Sequence, residues 1–249
     1  MNRILAIALL VLSMSTWGQT LTIRADDWFP MNGNPNDPQP GYMIELAKAI
    51  FEAEGIEVDY QLMPWERALH EARSRNIDCV VGAYKEDAPD FVFPQAHWGL
   101  DRAHFYVAKG DSWRFSDFNG LLSRKVGLIG GYAYGDEFDA FAANNKGAAF
   151  QYMSGDGALD KNIKKLLAGR IDTIVESVAV LEAKVKEMGV QGQVVSGGEL
   201  TKATPMYIAC SPENPLSVGY MKMVDAAMPV LKSNGTLDKI LDSYGLQPW

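Results

Sequence analysis

The sequence predicts an α/β protein of two lobes, each a β-sheet flanked by helices. Three observations carry this prediction. Strand-like and helix-like stretches alternate along the chain, which implies parallel strands with helices on the faces of the sheet. The alternation runs twice, broken midway by the polar, turn-rich "RFSDFNGLLSRK". The two runs also share a strand-entry pattern, "SRNIDCVV" and "AGRIDTIV".

Each element has its own signal. "LTIRAD" alternates apolar and polar residues as a strand does, and a loop rich in Pro, Asn and Gly follows it. "GYMIELAKAIFEAEG" places Met43, Leu46, Ala47, Ile50 and Phe51 at helical spacing, with Gly55 as its stop. "IEVDYQLM" reads as the second strand, Trp65 to Arg75 as the second helix, and "IDCVVGAY" as the third strand. "HFYVAKG" is a further strand before the break. The second run begins at "KVGLIGG" and continues through a helix near Gly135–Asn144 and the strand "AAFQYM". A helix near Gly157–Ala168 leads into the strand "IDTIVES", and "VAVLEAKVKEMG" is a further helix. "GQVVSGGEL" and "PMYIACS" are strands, and helices over Leu216–Ser233 and "GTLDKILDSYG" close the chain.

The first residues stand apart from this pattern. "MNRILAIALLVLSMSTWGQT" has a positive start at Arg3, an apolar run from Ile4 to Met14 and small residues suited to cleavage after Gly18. That is the pattern of a secretory signal peptide over residues 1–18, and a retained anchor would need roughly 20 apolar residues. The formal net charge of −8 argues against nucleic acid or an anionic membrane surface as partner. Two cysteines, Cys79 and Cys210, are too few for a disulfide framework or a zinc site. An exported chain could pair them, but each sits in an apolar strand, where a free Cys behaves as a small buried hydrophobe, and the unpaired state is favoured.

Candidate functional residues gather at the carboxyl ends of strands, where open α/β sheets bind ligands. The aromatics are Trp28 and Phe29 after the first strand, Trp65 at the second helix, Tyr84 after the third strand, and Tyr132 and Tyr134 in the second run. Trp and Tyr supply apolar area with a polar tip, which suits a small-solute pocket. The charged candidates are Lys85, Glu86, Asp87, Asp90, Arg102 and Glu176, and Glu176 stands out because it ends an apolar strand. "GLIGGYAYG" turns a strand into a helix, but neither G-x-G-x-x-G nor G-x-x-x-x-G-K-[ST] occurs, so no nucleotide cofactor is expected. His70, His97 and His104 lack metal spacing, with His70 expected on the exposed side of its helix. No G-x-S-x-G supports nucleophilic hydrolysis.

Over nearly its whole mature length the chain resembles the family 3 periplasmic solute-binding proteins that serve polar amino acid ABC importers. The residues carrying the resemblance are "GYMIELAKAI", the segment from Trp65 to Asp78, "VGLIGG", "AGRIDTIV" and "NGTLDKILDSYG", in that order and spacing. The resemblance implies a type II periplasmic-binding-protein fold, two lobes joined by two hinge strands and closing over a solute. It places residues 19–110 and 203–249 in lobe 1 and residues 111–202 in an inserted lobe 2. It also implies a periplasmic monomer partnered by an inner-membrane permease.

The departures from the family pattern bear on the ligand. The family's carboxylate-binding Arg slot falls on Asp90 counted forward from Asp78, or on Asp87 counted back from Phe93. The lobe 2 acid that takes the α-amino group falls on Ser177, one residue after Glu176. The family's Ser/Thr after the lobe 2 glycine becomes Tyr132 and Ala133. An acidic loop with aromatic walls suits an amine or other cation, unless Lys85 or Arg102 replaces the missing Arg. Three functions compete: solute capture for an ABC importer, an orphan ligand sensor of the same fold, and a dehydratase-like enzyme using Glu176. The leading expectation is capture of a small polar solute, amino acid or amine-like, without catalysis.

Overall fold

The computed structural model describes residues 18–145, 147 and 149–249. The leader expected over residues 1–18 lies, apart from Gly18, outside them.

The chain enters lobe 1 with β1 (Gln19–Ala25), α1 (Tyr42–Phe51), β2 (Ile56–Leu62), α2 (Trp65–Arg73) and β3 (Cys79–Ala83). Both helices follow their apolar spacing. In α1 the residues Met43, Ile44, Leu46, Ala47, Ile50 and Phe51 are buried, and in α2 Trp65, Ala68, Leu69 and Ala72 form one buried stripe. Burying each large apolar side chain stabilises the fold by about 1.5–3 kcal/mol. His70 lies on the exposed side of α2.

Two short strands follow, β4 (Gly99–Asp101) and β5 (Ala103–Ala108). Lobe 2 then holds β6 (Val126–Ile129), α3 (Asp136–Asn144), β7 (Phe150–Met153), α4 (Ala158–Leu167), β8 (Thr173–Ser177), α5 (Val178–Glu187) and β9 (Val194–Glu199). The chain returns through β10 (Thr204–Cys210) and ends with α6 (Ser217–Ser233) and α7 (Thr236–Ser243).

Each lobe has a five-stranded sheet, ordered β2-β1-β3-β10-β4 in lobe 1 and β7-β6-β8-β5-β9 in lobe 2. The pairs β1–β2, β1–β3, β6–β7 and β6–β8 are parallel, and the remaining pairs are antiparallel. The shared "ID" pattern has a structural purpose in both. Asp78 Oδ2 accepts the Thr22 backbone N–H at 2.8 Å and its hydroxyl at 2.7 Å. Asp172 Oδ2 accepts the Lys125 backbone N–H at 2.7 Å. Each carboxylate ties the head of one strand, β3 or β8, to its parallel neighbour, β1 or β6.

Two expectations are corrected here. The first crossing between lobes lies at Arg102, not near Gly110, because β5 pairs with β8 and β9 and so belongs to lobe 2. β4 carries no local signal because the strand is only three residues long. The second correction concerns the cysteines. Cys79 and Cys210 form a disulfide. They lie 131 residues apart in sequence, but the returning β10 pairs antiparallel with β3 and sets Cys210 opposite Cys79.

Candidate functional site between the lobes

The parallel strands of both lobes point their carboxyl ends at one cleft. Asp26 and Trp28 follow β1, Tyr84 and Asp87 follow β3, Tyr132 and Tyr134 follow β6, and Glu176 and Ser177 end β8. They line a cavity of about 210 Å³ together with Trp65 and with Asp101, Ala103, Thr201 and Thr204 from the two crossings. This is smaller than the roughly 300–1,000 Å³ typical of drug-sized ligand sites. A second chamber of about 430 Å³ shares Trp65, Tyr132 and Glu176 with it and is lined also by Lys184.

Hydrogen bonds cross the cleft. Trp28 donates its indole N–H to Glu176 Oε1 at 2.9 Å, and the Ser177 backbone N–H donates to the same oxygen at 2.8 Å. Tyr132 donates its hydroxyl to Asp26 Oδ2. The Ala133 backbone N–H donates to Asp87 Oδ1 at 3.1 Å. Lys184 on α5 pairs with Asp27 of lobe 1 at 3.3 Å. Asp101, at the crossing, accepts the Tyr84 hydroxyl at 2.7 Å on one oxygen and the Ser177 hydroxyl on the other.

Two glycines permit this closeness. A Cβ on Gly82 would lie 3.2 Å from the Trp28 ring, so the missing side chain lets the indole lie on β3. A Cβ on Gly131 would lie 2.2 Å from Glu66 Cγ of α2, which packs against the lobe 2 turn.

The carboxyls of the cleft are held away from their ordinary behaviour. Burial, reinforced by the charges of Asp101 and Asp26, pushes Glu176 up to about 8 against the hydrogen bonds from Trp28 and Ser177. Burial likewise raises Asp87 to about 7 and Asp26 to about 6, although each accepts hydrogen bonds. Asp101 is also raised by burial. Glu176 is 3% exposed, and its second oxygen, Oε2, has no hydrogen-bond partner among the described residues.

The structure brings together Trp28, Trp65, Tyr84, Tyr132, Tyr134, Glu176 and Ser177. Three other candidates lie elsewhere. Phe29 follows Trp28 and packs on Tyr244, with ring centroids 5.7 Å apart. Lys85 is exposed, its ammonium 5.0 Å from the Tyr207 ring centroid. Arg102 is exposed on the far side of the crossing, where Asp101 and Ala103 face the cleft. Neither base takes the place of an Arg in the cavity. Of the two slots counted for that Arg, Asp90 pairs with Arg73 on the surface at 2.8 Å, while Asp87 lines the cavity. Sequence reasoning missed Asp26, Asp101, Thr201 and Thr204. Asp26 was findable, since it follows β1 directly as Trp28 nearly does. The other three depend on the crossings, which carried no sequence signal.

No protein-family model matches the chain. Two α/β lobes of like strand order, two crossings and a cleft at the strands' carboxyl ends define the two-lobe periplasmic-binding-protein fold. Solved structures share it. A histidine kinase sensor domain with similarity to periplasmic binding proteins matches at a TM-score of 0.75, with 19% identity over 92% of this chain and 98% of that one. An ancestral arginine-binding protein bound to arginine matches at a TM-score of 0.74, with 24% identity over 90% of this chain and 97% of that one. In sequence, the chain is 20% identical over 221 residues to "Probable amino-acid-binding protein YxeM" of Bacillus subtilis (strain 168), covering 87% of this chain and 80% of that protein. These likenesses agree with the resemblance read from the sequence.

Proposed function

We propose that this protein is a periplasmic solute-binding protein that captures a small polar solute between its lobes and delivers it to an inner-membrane ABC permease. The observation that carries the reading is the cavity itself. It is small, lined from both lobes, and bounded by hydrogen bonds that join them. A solute there touches both lobes, so its binding free energy favours the closed arrangement. The amino-acid-binding relative and the arginine-binding structure support this class of ligand. The protein acts as a monomer and carries a leader removed on export.

Binding rather than catalysis is the reading. Glu176, pushed up to about 8, has the protonation a general acid needs. The cavity lining, however, offers no Lys, Arg or His to hold the carboxylate substrate that the dehydratase-like reading requires. The test is a thermal-shift screen of the mature protein against amino acids, amines, small sugars and organic anions. A ligand at 100 times its Kd stabilises by about 2.7 kcal/mol. The expected result is a concentration-dependent rise in Tm for one class, with no product formed. No rise for any class overturns capture, and product formation overturns the binding-only reading.

A further inference from the structure

We infer that the solute is a small organic cation bearing no carboxylate, an amine or guanidine whose N–H groups donate to Glu176. The inference rests on the solute-capture reading and narrows its ligand class.

The argument starts from charge. The cavity lining contains six acidic residues and no Lys, Arg or His. Acidic residues alone define no site, since most are solvated. Here one oxygen is singled out. Glu176 Oε1 has two donors, yet Oε2, equally buried, has none among the described residues. A buried carboxylate oxygen without a donor costs free energy, and an N–H from a cation in the cavity removes that cost. Asp101 and Asp87 each retain acceptor capacity for further N–H groups.

Two of the backbone donors that a ligand carboxylate could use are already taken. They are backbone N–H groups at the turn into α3, engaged by the protein's own acids. Ala133 donates to Asp87, and Tyr134 donates to Asp139 at 2.9 Å. Lys184, which lines the neighbouring chamber, is shared among Asp27, Asp160 and Glu187. A ligand carboxylate would therefore enter an acidic cavity with no free counter-charge, a strong term against it.

The walls suit a cation. Trp28, Tyr84, Trp65 and Tyr132 present aromatic rings to the same space, and a cation over such a face gains about 0.5–2 kcal/mol. No group of acids among the described residues is arranged to hold a metal ion, so the cation is organic. Proton balance supports the geometry: carboxyls raised toward neutral pH release protons when a cation takes their place.

The test is isothermal titration of the mature protein with matched pairs, each an amine and its parent amino acid. Phenethylamine with phenylalanine, agmatine with arginine, and cadaverine with lysine span the aromatic, guanidine and diamine classes. The expected result is one amine binding at least tenfold more tightly than its parent. Its enthalpy should vary with the ionisation heat of the buffer, reporting proton release. Glu176→Gln should weaken that amine at least tenfold while the protein keeps a cooperative melt. Should that variant fail to fold, Asp87→Asn, at a half-buried loop position, is expected to weaken it several-fold. A parent amino acid binding as tightly as its amine overturns the inference but leaves solute capture standing. The same follows if only a sugar or an anion binds. Failure of every compound in both screens overturns both.

Discussion

Trp28 and Glu176 are joined across the cleft by an indole hydrogen bond of 2.9 Å. One residue follows the first strand of lobe 1 and the other ends a strand of lobe 2. The bond fixes Glu176 by one oxygen, and the other has no hydrogen-bond partner among the described residues. Because Trp28 lies against Gly82, the orientation of the indole is set by lobe 1 before the lobes meet.

Trp28→Phe keeps the ring and removes the donor. Glu176 would then hold a single hydrogen bond to its carboxyl, from Ser177. The expected loss is about 1–3 kcal/mol, the cost of leaving a buried acceptor under-satisfied. Urea denaturation of the variant beside wild type measures it. An unchanged midpoint would mean that the indole N–H contributes nothing to closure.

The cleft carboxyls predict an unusual pH dependence. Folding raises Glu176 from 4.5 to about 8, Asp87 from 3.8 to about 7, and Asp26 from 3.8 to about 6. The folded state therefore binds more protons than the unfolded state between about pH 4.5 and pH 8, and stability falls as pH rises through that window. Each unit of difference is worth about 1.4 kcal/mol, so the loss accumulates with every pH unit through the window. The groups facing Glu176 are Asp101, Asp26 and the phenols of Tyr84, Tyr106, Tyr132 and Tyr134. His104 stands opposite in the strand register with its ring bonded to Ser196. Without added ligand, Tm should be higher at pH 5 than at pH 8, and Glu176→Gln should flatten the difference. A Tm that rises steadily from pH 5 to pH 8 would contradict the assignment.

What the sequence made legible follows from period and strand parity. Alternation along "LTIRAD" and helical spacing in "GYMIELAKAI" are local properties, so β1 and α1 were readable. Trp28 and Glu176 were readable because strand ends meet at the cleft. Which side of a strand end a residue takes was not readable. Arg102 lies between Asp101 and Ala103, both of which face the cleft, and period two sends it outward. Phe29 lies in the turn after Trp28 and packs on Tyr244 instead of the cavity. The lobe border and the disulfide depend on β4, β5 and β10 meeting partners far away in sequence, which no local pattern reports.

Arg102→Ala and Lys85→Ala supply the control for these corrections. Both side chains are exposed and outside the cavity lining. Each variant should bind the solute within about twofold of wild type and change stability by no more than about 0.5 kcal/mol. A tenfold loss of affinity in either variant, measured by titration, would return that residue to the site.

The disulfide links β3 to the strand that returns from lobe 2, so the closed loop encloses the whole of that lobe. In the chain-entropy account a loop of 131 residues gives about 5 kcal/mol. Measured losses on removing native disulfides run at about 2–5 kcal/mol. Cys79→Ala with Cys210→Ala keeps both positions apolar and should lower the urea midpoint accordingly. Equal midpoints for the double variant and the oxidised wild type would show that the pairing of β3 with β10 suffices alone.

Gly131 gives a test of closure itself. Its φ of +81° disfavours any side chain, and a Cβ would meet Glu66 Cγ at 2.2 Å. A larger residue there must push α2 away from the lobe 2 turn or strain the turn, and the contact lies between lobes rather than within a core. Gly131→Val should therefore hold the lobes apart, increasing the radius of gyration in small-angle scattering. It should weaken solute binding about tenfold or more while lowering stability only by the local backbone strain, about 1–3 kcal/mol. Gly131→Val with Glu66→Ala removes the opposing side chain and should recover compactness in part. If the single variant scatters like wild type and binds normally, the Glu66–Gly131 contact does not govern closure.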